Sequence, residues 1–288
     1  MQIHAVDRFR QLIGAALTLI CLLLAAPVWP QGLNAFLGCE EHLQYGVPHE
    51  GTPREVTPLC RLGYALAHNT DRKTADWVAW HLTTKKALGC LPRKNTFKAD
   101  PDLARGTRAE LVDYRNSGYD RGHIAPNADF LWSEIAQRES FLLSNMSPQL
   151  GSFNGGIWKY VEELTRVWAT TRGEVLVIAG PIYSDMPLER IGRNRVAVPP
   201  FYFKIIFDPK SKQAVAFIFP HAQTPRSQLP TLQATVREIE AQTGLDFFNT
   251  LAADEQAVLE STKVPIWEAD IKSWNVVRKS ICSGAADG

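Results

Sequence analysis

The chain has 288 residues, 45% of them hydrophobic, with 31 lysines and arginines against 30 acidic residues. An even balance excludes a protein that wraps nucleic acid through a strong positive excess. Any polyanion must be met by a local patch, with modest and salt-sensitive binding.

Arg8 and Arg10 precede an apolar run from Leu12 to Ala26, which Pro27 and Pro30 then break. A basic start, a short apolar core and small residues at its end describe a secretory signal over residues 1–30. The run falls short of the roughly 20 apolar residues of a membrane span. We expect export to a periplasm or to the outside, with an uncleaved tether as the alternative and no stable membrane partner. Removing residues 1–30 leaves 29 basic against 29 acidic residues. Residues 31–288 carry no Pro/Gly/Ser-rich linker, repeat or low-complexity run, so one domain is expected.

Four cysteines remain in the exported part: Cys39, Cys60, Cys90 and Cys282. In an oxidising compartment an even count predicts two disulfides, with three connectivities open. The favoured pairing joins Cys39 to Cys60 across the shorter loop and Cys90 to Cys282, pinning the C-terminus. The spacings are too wide for a paired-cysteine zinc site.

Residues 33–62 hold Gly46, Pro48, Gly51, Pro53 and Pro58 and read as irregular. From Trp77 to Leu82 large residues alternate, predicting a strand in which His81 packs or hydrogen-bonds rather than catalyses. Residues 91–119 read as a long loop and the most basic neighbourhood of the chain, with Arg93, Lys94, Lys98, Arg105, Arg108 and Arg115. It leads into Asp120-Arg121-Gly122-His123, read as a turn whose glycine takes a backbone closed to other residues.

Ser133 to Leu143 predicts a helix capped by serine, and Ser144–Gln149 a polar turn. An amphipathic helix follows from Ile157 to about Thr170. Ile157, Tyr160, Val161, Leu164, Val167 and Trp168 face the core, and Lys159, Glu163 and Arg166 the open side. Asn154 stands at or near the start of that helix, where asparagine is a favoured cap. Val175–Ala179 reads as a central strand, and Phe201–Phe207 and Ala214–Phe219 as two more. Thr231–Thr243 predicts a helix stopped by Gly244. Consecutive strands with hairpin-length connections favour an α+β fold, a central antiparallel sheet with flanking helices.

Hydrolysis of a phosphodiester needs a group to take a proton from water and another to carry the phosphate's charge. His123 suits the first task and Arg121 the second. Magnesium prefers oxygen ligands and keeps several waters, so Asn154 Oδ1 and the substrate phosphate would suffice to hold it. Glu162 lies eight residues on, about two helical turns, and faces a similar side. Its carboxylate could hold the ion's waters. Each residue also has a plainer role: a surface turn, a helix cap, an exposed acid.

Several segments together resemble the DNA/RNA non-specific endonuclease family, the ββα-metal nucleases that include mitochondrial endonuclease G. They are Asp120-Arg-Gly-His-Ile-Ala-Pro126, Ser144-Asn-Met-Ser-Pro-Gln149, and Phe153-Asn-Gly-Gly-Ile-Trp158 with Glu162. The resemblance extends to Arg93 with Asn95-Thr-Phe-Lys-Ala-Asp100, to Ala179-Gly-Pro-Ile-Tyr183 and to Thr243-Gly-Leu-Asp-Phe247, so it spans the chain from about residue 60 to 250. It implies a ββα-metal motif and a magnesium-dependent enzyme, with manganese as a substitute. That enzyme would cut DNA and RNA, leaving 5′-phosphate ends. His123 would be the general base, Asn154 the direct metal ligand, and Glu162 a ligand to the ion's water. Asn145 would position His123 or the phosphate, Arg93 would stabilise the charged transition state, Arg121 would support the site, and Asp120 would orient its neighbours. Contacts restricted to phosphate and sugar imply little base preference. Any protein inhibitor is left unspecified. A zinc phosphoesterase or metalloprotease is disfavoured, because the seven histidines are scattered and no His-Glu-x-x-His occurs. The remaining alternative is a catalytically inactive exported nucleic-acid-binding protein of the same fold.

Overall fold

The apolar runs at Val175–Ala179 and Phe201–Phe207 become the middle of one sheet. The computed structural model describes residues 33–50, 55–183 and 187–284, so the expected signal at 1–30 lies outside the described residues. Among those described, no helix is long and apolar enough to cross a membrane. The main strands are β1 (Val56–Cys60), β2 (Ala65–Asn69), β3 (Thr74–Thr83), β4 (Asp120–His123), β5 (Met146–Gln149), β6 (Glu174–Ile182), β7 (Phe201–Asp208), β8 (Gln213–Pro220) and β9 (Gln233–Ala234). Seven of them form a sheet in the order β9-β8-β7-β6-β3-β2-β1, antiparallel at every pairing. β4 and β5 pair separately as a hairpin. The longer helices are α1 (Glu134–Ser140), α2 (Lys159–Arg172), α3 (Val236–Thr243), α4 (Ala253–Ser261) and α5 (Ile271–Gly284). The architecture is α+β, as expected.

Both faces of the sheet are covered. Val175, Val177 and Ala179 of β6, with Tyr202 and Ile206 of β7, face one core, which α2 fills with Val161, Leu164 and Trp168. The intervening residues Leu176, Phe203, Ile205 and Phe207 face a second core, shared with Leu43, Val236, Ile239 and Leu259. Burial on two sides explains why β6 is a continuous apolar run rather than an alternating one. His81 sits between Glu41 and Glu174, at 3.1 and 2.6 Å, and so is a hydrogen-bonding strand residue. Both favoured disulfides form, Cys39–Cys60 and Cys90–Cys282.

Four readings are corrected. Ser144–Gln149 is no polar turn: Met146–Gln149 is a wholly buried strand, because Asp120–His123 offers it a ladder. Val56–Cys60, within the span read as irregular, is the edge strand of the sheet. The helix at Thr231–Thr243 begins only at Val236, where Thr235 and Glu238 make a reciprocal capping box. Arg166 is not on the open side of α2 but buried, since it pairs with buried Asp129 at 2.9 Å. The long loop at 91–119 is ordered by buried Asp100, which accepts bonds from Arg61 (2.8 Å) and from the Ser144 hydroxyl (2.5 Å).

Candidate active site

The hairpin lies on the α2 side of the sheet, and its register places Gly122 opposite Ser147 and His123 opposite Met146. Gly122 belongs to a strand, not a turn. What it supplies is space, since a Cβ there would stand 2.1 Å from Gln149 Oε1. Tyr202 fastens the hairpin to the sheet, donating to Pro148 O at 2.7 Å. Trp158 fastens the helix to the hairpin by donating from Nε1 to His123 O at 3.0 Å.

The chain enters α2 through a short helical turn, Gly151–Phe153, and a wide turn, Asn154–Trp158, kinked at Gly156 (φ −97°, ψ −113°). Wide turns of this kind often mark functional sites. Asn154 stands before that kink with helical dihedrals, and its side chain caps nothing. Instead Nδ2 donates to Asp120 Oδ2 at 3.1 Å. That bond anchors the nitrogen end of the amide and leaves its oxygen for another partner.

Asn154, Asp120, Arg121, His123, Arg93 and Glu162 line one cleft of about 420 Å³, together with Phe97, Lys159 and Arg166. The His123 ring stands edge-on to Phe141 at 5.1 Å and lies 5.6 Å from Phe97. The same two rings seat the arginines: Arg121 lies 4.3 Å over Phe97 and Arg93 5.2 Å over Phe141. Two guanidinium groups therefore flank the imidazole. His123 Nε2 is buried and has no hydrogen-bond partner among the described residues. Burial, and then the charge of Arg93, lowers the pKa of His123 to about 3, so the ring is neutral at working pH.

Asn145 does not reach the cleft. It is buried, with Oδ1 accepting from Ala125 N at 3.0 Å and Nδ2 donating to Ala125 O and Ser140 O at 2.9 Å. Its backbone oxygen also accepts from Ile124 N at 3.0 Å, so it clamps the two residues that follow His123.

Behind the cleft lies a buried charge cluster that sequence reasoning missed. Asp129 accepts from Trp80 Nε1 at 3.0 Å and from Arg166 at 2.9 Å. The Lys204 ammonium, fully buried, stands 3.9 Å from the centre of the Trp158 ring. Burial raises Glu162 to about 7 against the pull of Lys204 and Arg166, and lowers Lys204 to about 8 against the pull of Glu162 and Asp129. Two signals were present. Arg166 follows Glu162 by one helical turn, and Lys204 is a lone charge on an inward position of an apolar strand.

The donor set suits a hard cation: an amide oxygen and a carboxylate, with no thiolate. The family model for DNA/RNA non-specific endonucleases spans residues 41–254. The chain belongs to that family. Nuclease C1 of Cunninghamella echinulata var. echinulata is 34% identical over 228 residues, 74% of this chain and 89% of that protein. A nuclease of a Nostoc species is 32% identical over 237 residues, 76% of this chain and 85% of the other. A crystal structure of an EndoG/EndoGI complex, on the mechanism of EndoG inhibition, aligns with a TM-score of 0.69 at 28% identity. That alignment covers 75% of this chain and 93% of the solved one. The protein is a non-specific DNA/RNA endonuclease of a metal-dependent class, with the ββα-metal fold.

Proposed function

We propose that the nuclease hydrolyses DNA and RNA phosphodiesters with magnesium, manganese substituting, and leaves 5′-phosphate ends. The observation that carries this reading is the neutral ring of His123 lining the same cleft as the anchored amide of Asn154. His123 takes the proton from the attacking water, a role that requires an unprotonated ring. Asn154, and Glu162 through water, would hold the ion, which when bound stabilises charge on the departing 3′-oxygen. Arg93 and Arg121 hold the scissile phosphate and balance its growing charge. Asp120 fixes the amide of Asn154, and Asn145 fixes the backbone after His123. These contacts address phosphate rather than base edges, in keeping with low sequence preference.

Residues 31–288 are read as one catalytic domain, exported to a periplasm or beyond, a reading supported by the two disulfides. A protein inhibitor is the further partner this reading admits, because the solved EndoG structure is a complex with EndoGI. The test is purified protein on circular DNA and on RNA, with magnesium and then with excess chelator. Both polymers should be cut, and chelator should abolish cutting. Cleavage that persists in chelator would refute the metal-dependent reading.

A further inference from the structure

On the sheet face opposite the cleft, α3 and α4 pack on the second core through Ile239 and Leu259. Glu240 of α3, Asp246 just beyond its C-terminus and Glu260 of α4 converge there. Ligand oxygens from the three carboxylates all lie within 4.8 Å of one another. Each group has one oxygen fixed from outside the cluster. Glu240 Oε1 accepts from Phe247 N at 2.9 Å, Asp246 Oδ1 from Gln256 Nε2 at 2.9 Å, and Glu260 Oε2 from Arg237 at 2.7 Å.

Glu260 supplies the decisive observation. Its side chain is only 3% exposed, and its Oε1 is buried with no hydrogen-bond partner among the described residues. A buried carboxylate oxygen left bare costs free energy, and two neighbouring acids add repulsion. Arg237 offsets one of three negative charges and is more than half exposed. A positive species between the carboxylates would satisfy the bare oxygen and the excess charge together.

We propose that Glu240, Asp246 and Glu260 form a divalent-cation site, separate from the catalytic cleft and suited to calcium. Calcium takes six to eight oxygens at about 2.3–2.6 Å, so ligands across the ion stand up to roughly 4.6–5.2 Å apart, and three oxygens within 4.8 Å of one another can share one such ion. Magnesium uses only one or two protein carboxylates and keeps most of its water, so a three-carboxylate cluster favours the larger ion. The ion would tie α3 to α4 and to Leu245–Asp246, which pairs with His49–Glu50 of the N-terminal segment. Its effect is on stability of that layer, not on the chemistry across the sheet. The competing occupant is a proton: burial raises Glu240 to about 7, so one acid of the pair can carry it.

Thermal melts of the full chain decide between ion and proton. In about 5 mM calcium the wild-type midpoint should rise by about 3–5 °C over its value in chelator, given millimolar or tighter binding. The double variant Glu240→Gln/Glu260→Gln should lose most of that rise and keep magnesium-supported plasmid cleavage within about twofold of wild type. Asp246→Asn provides the same readout should the double variant fail to fold. A wild-type midpoint indifferent to calcium overturns the proposal in favour of the shared proton. An undiminished rise in the variants overturns it too, by placing the bound calcium elsewhere.

Discussion

At the scale of single residues, burial acts on two titratable groups of the cleft with opposite sign. It lowers His123, with the charge of Arg93 adding to it, and leaves the ring neutral, whereas it raises Glu162 to about 7 against the pull of Lys204 and Arg166. Without metal, Glu162 therefore carries a proton below neutrality, and an ion that needs its carboxylate must displace that proton. The magnesium concentration for half-maximal cleavage should thus climb as pH falls below about 7, by up to about tenfold per unit. A magnesium requirement flat across that range would remove Glu162 from the ion's surroundings. The arginines act through geometry: Phe97 and Phe141 hold both guanidinium groups beside the imidazole, which no spacing in the chain announces.

At the scale of elements, the unit that matters is the hairpin with the kinked entry to α2. Gly122→Ala should destabilise the protein by about 1–3 kcal/mol and cut activity, because the new methyl group meets the Gln149 side chain. Adding Gln149→Ala should restore much of the stability, as read by denaturant melts. Equal destabilisation in the single and double variants would mean that Gly122 serves backbone freedom after all. The amphipathic α2 was legible because its apolar residues recur at helical spacing, and Val175–Ala179 because a run of five apolar residues suits a doubly covered strand. The β5 strand was not legible. Ser147, Pro148 and Gln149 look like turn formers, and only the ladder to Asp120–His123 makes them a buried strand. Asn154 looked like a cap for the same reason that it makes a good ligand, a short side chain with an exposed oxygen. Its bond to Asp120 links residues 34 apart and has no local signature.

At the scale of the whole molecule, the sheet is a wall between a catalytic layer and a supporting layer, and the disulfides tie the segment at Cys39 and helix α5 to the body. Cys90–Cys282 spans 192 residues and anchors α5, a helix with no buried residues of its own. Cys282→Ala should lower stability by about 2–4 kcal/mol, read by denaturant melts, with cleavage by the intact fold retained. An unchanged midpoint would mean that α5 docks without the bridge. Family membership was readable because the motifs are short and stand in a fixed order. The Lys204–Glu162–Asp129–Arg166 cluster was not, since α2, β7 and the segment after β4 that supply it meet only in three dimensions. The central claim is that the unprotonated His123 ring draws the proton from water in a cleft shared with Asn154. Its most direct test is nicking of supercoiled plasmid by His123→Ala beside wild type, in saturating magnesium, with thermal melts as the control for folding. The account predicts a loss of at least about a hundredfold in rate with an unchanged melt. Wild-type nicking by a folded His123→Ala protein would contradict it.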